Sequence, residues 1–151
     1  MMILILHGPN LNLLGWREPE VYGTTTLEDV NALCASTAAE LGLQVECHQS
    51  NHEGDLIDKI HAYGRWHREG KALGAVFNPG AFTHTSIALH DAIKGTGLPV
   101  VEVHISNPAA REPWRHESVV APVAIGTVAG FGADSYVLGV EAMIKIGRAH
   151  V

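Results

Sequence analysis

Glu102 and His104 close an apolar run that reads Val100-Val101-Glu102-Val103-His104. In extended backbone, side chains alternate, so Val101 and Val103 share one face and Glu102 and His104 the other. A carboxylate beside an imidazole fixes its tautomer and keeps a proton available for acid catalysis. A buried pair with a purely structural role is the other reading of the same two residues. A second pair, Arg17 and Tyr22, lies in Trp16-Arg17-Glu18-Pro19-Glu20-Val21-Tyr22-Gly23. A phenol with an ordinary pKa near ~10 costs about 4 kcal/mol to ionise at neutral pH. One guanidinium at ~4 Å returns about 1 kcal/mol in bulk water and about 4 kcal/mol at an effective dielectric of ~20. Arg17 therefore makes Tyr22 a useful base only beneath a closed loop that excludes water. The segment reads either as such a lid, spanning about 16–23 with Pro19 for stiffness and Gly23 as hinge, or as a surface loop held by an Arg–Glu pair.

Both pairs need a rigid frame, and the apolar pattern supplies one. Apolar runs at 2–7, 43–49, 73–78, 99–104 and 124–131 read as buried strands. Amphipathic stretches at 25–41, 54–69, 83–94 and 133–146 read as helices. Leu27, Val30, Leu33, Cys34, Ala38 and Leu41 form one apolar stripe, and Leu56, Ile57 and Ile60 another. Thr25-x-x-Glu28 and Ser50-x-x-Glu53 are spaced as capping boxes for the first two helices, and Gly42 stops the first. Strict alternation implies right-handed crossovers and a parallel sheet covered on both faces. The count fits an α/β, flavodoxin-like three-layer sandwich whose five-stranded parallel sheet has the order 2-1-3-4-5.

The connections 8–23 and 105–119 exceed the about 2–6 residues of an ordinary βα turn and carry polar chemistry. In such a sheet, ligands bind beyond the carboxyl ends of the strands. Those ends are His7-Gly8-Pro9-Asn10, Gln49-Ser50-Asn51, Asn78-Pro79-Gly80 and His104-Ile105-Ser106. Singly, each reads as a cap or a turn. Together they gather polar groups at one edge.

Composition excludes several classes. The 151 residues suit one domain over 1–151. A net charge of −6 without blocks of like charge argues against nucleic-acid binding, which needs a basic face. The longest apolar run, Met1–Leu6, is far short of the ~20 residues of a membrane helix. It also lacks the basic start and cleavage site of a signal peptide. Cys34 and Cys47, with no C-x-x-C, read as reduced core thiols of a cytoplasmic protein. Neither G-x-G-x-x-G after the first strand, nor a P-loop, nor a G-x-S-x-G elbow occurs. His48 and His52 sit at a strand end rather than on one helix face, and no H-E-x-x-H supports them, so neither a metal nor a cofactor is expected. His61, His67, His90 and His150 read as solvated.

The runs HGPNLNLLG at 7–15, REPEVYG at 17–23, QSNHEG at 49–54, NPGAFTHTSIAL at 78–89, VEVHISN at 101–107 and RHES at 115–118 follow in order over nearly the whole chain. Together they resemble the type II 3-dehydroquinate dehydratases. The resemblance implies a flavodoxin-like hydro-lyase that converts 3-dehydroquinate to 3-dehydroshikimate through an enolate, with no metal and no covalent intermediate. It makes Tyr22 the base, Arg17 the lid cation that lowers the tyrosine's pKa, and His104 the acid that protonates the departing hydroxyl. It sets Asn10 near the developing enolate, acting through water. It gives Asn78, Ile105 and Ser106 the hold on the substrate and its carboxylate, and His84 and Arg115 the ring hydroxyls. Asp91 follows His84 by seven residues, about 10 Å along a shared helix, which is too far for one small ring. The resemblance gives Asp91 to a neighbouring subunit's site, in a homo-oligomer of trimers forming a dodecamer; a pair with Lys94 is its plain alternative. The same reaction serves the shikimate pathway of aromatic amino acid biosynthesis and quinate breakdown. Trp16, Asn107-Pro108-Ala109, Glu112-Pro113-Trp114 and Glu117 depart from the family pattern without removing a catalytic group. A non-catalytic flavodoxin-like module, the competing reading, wants an acidic cluster or a hydroxyl-rich turn where this chain has His7-Gly8-Pro9-Asn10.

Overall fold

Five parallel strands run in the order β2-β1-β3-β4-β5: β1 Met2–His7, β2 Gln44–Gln49, β3 Ala72–Asn78, β4 Val100–His104 and β5 Gly126–Ala129. The computed structural model describes residues 1–16, 20 and 23–149. Among the described residues, four helices connect and cover the strands: α1 Leu27–Ala39, α2 Glu53–Arg68, α3 Ile87–Thr96 and α4 Asp134–Ala149. This is the expected flavodoxin-like α/β architecture and strand order. No helix among the described residues is long and apolar enough to cross a membrane.

The period-two alternation of β1 divides its side chains between two cores. Ile3 and Ile5 join Val76, Val101 and Val103 beneath α1 and α4, whereas Leu4 and Leu6 join Ala75, Phe77 and Val100 beneath α2 and α3. Each fully buried aliphatic side chain contributes about 1.5–3 kcal/mol. Helix α4 lies close on the sheet because Gly139 lacks a side chain: a Cβ there would stand 2.7 Å from the Val103 side chain. Cys34 is buried and Cys47 half-buried, and both thiols are free. Burial pushes the Cys34 thiol up to about 12 and the Cys47 thiol up to about 11, so neither is reactive.

Three helix starts differ from the sequence expectation. The capping box of α1 is Thr26 with Asp29, one residue beyond Thr25-x-x-Glu28: Thr26 accepts from the Asp29 N–H, and Asp29 accepts from the Thr26 N–H. The α1 stripe is correspondingly narrower, with Leu33 and Leu41 exposed. Ser50 and Glu53 form no box at α2. Ser50 Oγ accepts from the His52 N–H and donates to Asp55, while Glu53 accepts from Ser86 across the loop. The expected helix 83–94 is two pieces, a 3-10 turn Gly80–His84 and then α3, which Ser86 caps by accepting from the Leu89 N–H. Thr83 is drawn out of helical capping because its hydroxyl is taken by Glu102. His84 and Asp91 therefore stand on different elements, and the shared-helix spacing between them does not hold. His67 and His90 are half-buried, bonded through Nδ1 to the carbonyls of Ala72 and Val119 rather than solvated.

Candidate active site

Register brings the carboxyl ends of three strands level: His7 lies beside Gln49 on β2 and Asn78 on β3. Gly8 then donates its N–H to the Asn78 carbonyl at 2.7 Å. The two post-strand loops touch here, and a Cβ on Gly8 would stand 2.3 Å from the Pro79 carbonyl oxygen. Only glycine permits that approach. Asn10 follows with φ 69°, the sole non-glycine in the left-handed region among the described residues. Asparagine tolerates that conformation better than most residues. Its backbone N–H is held at 2.9 Å by Asn51 Oδ1, which also accepts from Gln49 Nε2 at 3.1 Å.

Beyond these ends lies a cleft of about 150 Å³ lined by Asn10, Asn78, His84, His104, Ile105, Ser106 and Arg115, together with Pro9, Leu11, Gly80, Ala81, Pro108 and Arg111. It is smaller than the roughly 300–1,000 Å³ typical of pockets for drug-sized ligands, so it suits a small molecule. Two guanidiniums and two imidazoles gather there in a chain of net charge −6, which favours an anionic ligand.

At the end of β4 the Glu102 carboxylate receives His104 Nε2 at 2.5 Å. Glu102 is fully buried. The Thr83 hydroxyl donates to it at 2.5 Å, and the Ser118 hydroxyl donates at 3.0 Å. Ser118 is itself held by the N–H groups of Val120 and Ala121, at 3.1 and 2.9 Å. Burial alone raises a carboxyl's pKa, but the hydrogen bonds from His104, Thr83 and Ser118 and the charge of His104 outweigh it, holding Glu102 below the usual carboxylate range. A buried carboxylate kept ionised in this way is a fixed negative charge behind the imidazole.

The 105–119 connection folds as short 3-10 turns at Pro108–Ala110 and Pro113–Arg115. Both departing prolines occupy first-turn positions, where a missing N–H costs nothing. Asn107 caps the first turn by accepting from the Ala109 N–H. Arg115 Nε donates to Glu112 at 2.5 Å, and that half-buried pair, still open to solvent screening, orients the guanidinium rather than adding much stability. His84 Nδ1 meets the Glu117 carbonyl at 2.7 Å, tying the 3-10 turn to the same loop. Trp16 and Trp114 are both exposed.

Of the expected site residues, seven line the cleft. Glu102 lies behind His104, and Asp91 is exposed on α3 and does not line it. Arg17 and Tyr22 lie outside the described residues. Arg111, Thr83 and Ser118 were not singled out by sequence. Arg111 and Ser118 flank Arg115 in the long polar loop, which was the available signal for both. Gln49, read as a polar strand end, supports the loops through the Gly8 carbonyl and Asn51, and His7 is buried against Tyr136 and Asn31; neither lines the cleft.

The model of the family described as "Dehydroquinase class II" matches residues 1–144. A 3-dehydroquinate dehydratase of Marinomonas sp. (strain MWYL1) is 60% identical over 142 residues, covering 94% of this chain and 95% of that one. Among solved structures, a type II dehydroquinase from Butyrivibrio crossotus DSM 2876 superposes with a TM-score of 0.88 at 41% identity, covering 95% of this chain and 97% of the other. A type II dehydroquinase from Propionibacterium acnes gives a TM-score of 0.86 at 42% identity, covering 97% and 96%.

Proposed function

Because this chain belongs to the class II dehydroquinase family of hydro-lyases, we propose that its cleft removes water from 3-dehydroquinate to give 3-dehydroshikimate through an enolate. The observation that carries the reading is the Glu102–His104 pair opening onto a small cationic cleft. Tyr22, paired with Arg17 under a closed lid, takes the proton from the carbon next to the ketone. The C–H electrons move into the ring and leave negative charge on the ketone oxygen, which Asn10 stabilises through water. As the enolate collapses, the C–O bond breaks and the hydroxyl leaves as water with a proton from His104. Since Nε2 faces Glu102, Nδ1 is the nitrogen left for the cleft. Donating from Nδ1 while Nε2 keeps its bond requires an imidazolium opposite the Glu102 carboxylate. The buried, ionised glutamate thus supplies the counter-charge that the working acid needs.

Asn78, Ile105 and Ser106 hold the substrate and its carboxylate, with His84 and Arg115 on the ring hydroxyls and Asp91 completing a neighbouring subunit's site within a dodecamer of trimers. Purified protein mixed with 3-dehydroquinate should produce a rising enone absorbance. His104→Ala and Tyr22→Phe should each remove most of it. Undiminished turnover in either variant contradicts the role given to that residue.

A further inference from the structure

A second buried polar chain runs from the cleft in the opposite direction, and the mechanism above does not use it. Asn78 Nδ2 meets the Tyr136 hydroxyl at 3.0 Å, that hydroxyl meets His7 Nδ1 at 2.9 Å, and His7 Nε2 meets Asn31 Oδ1 at 2.7 Å. The chain joins β3, α4, β1 and α1. His7 and Tyr136 are fully buried and Asn78 nearly so.

One backbone group sets its direction. The Gly80 N–H, which can only donate, lies 3.1 Å from Asn78 Oδ1. The amide oxygen must therefore face Gly80, and the Asn78 N–H faces Tyr136. With its oxygen accepting from Asn78, the Tyr136 hydroxyl donates to His7 Nδ1. That nitrogen then carries no proton, so Nε2 does, and it donates to Asn31 Oδ1. Every donor meets an acceptor. Rotating the Asn78 amide by half a turn would set donor against donor at Gly80 and turn the Tyr136 hydroxyl away from His7, whose single N–H would then face two acceptors and leave one ring nitrogen unpaired. In a site this buried, such mismatches are expensive.

We propose that Tyr136, His7 and Asn31 are positioning residues that lock the Asn78 amide in one orientation, leaving its remaining N–H to a substrate oxygen and making this subsite selective for acceptors such as a carboxylate. The proposal rests on Asn78 as a substrate-holding residue in the dehydratase reading. Nothing in the chain touches the reacting atoms, so its removal should weaken binding more than chemistry.

Tyr136→Phe deletes the hydroxyl and keeps the ring. KM for 3-dehydroquinate should rise about tenfold, the value of one well-made hydrogen bond, while kcat changes less than about threefold. KM does not depend on the fraction of protein folded, so lost stability cannot imitate this. In an Asn78→Ala background, adding Tyr136→Phe should leave KM within about twofold, because the group being positioned is gone. His7→Asn, whose Oδ1 falls near the place of Nδ1, should keep KM close to the parent, and His7→Leu should match Tyr136→Phe. An unchanged KM in Tyr136→Phe, or an equal rise with and without Asn78, overturns the proposal. The chain also has a readout independent of turnover: nitrogen NMR of His7 should find Nε2 protonated and Nδ1 bare. The opposite tautomer overturns the chain however active the enzyme is. A parent protein inert toward 3-dehydroquinate but carrying the expected tautomer overturns the dehydratase reading, and with it the carboxylate selectivity.

Discussion

His7 should make this protein sensitive to mild acid. Its ring is fully buried, and burial, partly opposed by the hydrogen bond to Asn31 and reinforced by His48, lowers its pKa from the ordinary 6.5 to about 4. The unfolded chain takes up this proton below 6.5, whereas the folded protein resists until about 4. The stability from keeping His7 neutral is therefore complete above 6.5 and is lost as the pH falls toward 4. At 1.36 kcal/mol per pH unit the whole loss is about 3 kcal/mol, of which about 2 kcal/mol falls between pH 7 and pH 5. That is a sizeable part of the roughly 5–15 kcal/mol that stabilises a typical domain. Glu102 and Glu46 are held below their ordinary 4.5 and act in the same direction, but only at lower pH. Urea unfolding at pH 7, 6 and 5, at one protein concentration, should show the parent losing about 2 kcal/mol more than His7→Asn, which has no group titrating there. Parallel losses in the two proteins would mean that His7 is not the group being protonated, and would refute the reasoning.

Glu102→Gln should lower kcat about a hundredfold, because an amide supplies no counter-charge to His104; steady-state rates test this, and an unchanged kcat contradicts the role given to Glu102. Asn10→Gly and Asn10→Ala should both lose turnover, but only alanine should also cost about 1 kcal/mol of stability, since it alone is strained at φ 69°; thermal melts separate the two. Light scattering should report a dodecamer. If Asp91 serves a neighbour, mixing inactive Asp91→Ala and His104→Ala subunits and reassembling them should restore activity, because some sites then take His104 from one chain and Asp91 from another.

The strand ends were legible because buried parallel strands are nearly uniform in apolarity, so the first polar residue after each run marks where the sheet stops. Asn78 shows this directly and reaches the cleft, whereas β4 carries Glu102 before His104 and is read from the alternation of its faces. The start of α3 was not legible, because Thr83 and Ser86 cap equally well by local rules. A glutamate 19 residues downstream decides between them by taking the threonine hydroxyl. The pairing of Glu102 with His104 follows from alternation alone, but its strength does not. A carboxylate between two valines ionises readily only if buried donors compensate its desolvation, and those donors come from the 80–84 turn and the 116–120 loop. Tyr136 lies farther still from any local signal, 58 positions beyond Asn78 and 129 beyond His7, in a helix whose apolar pattern treats it as one more core residue. Local sequence thus identifies which groups stand at the site, while the protonation state and orientation of each depend on partners that only folding brings near. Substitutions at those partners, Thr83, Ser118 and Tyr136, should therefore alter catalysis or binding without touching the ligand.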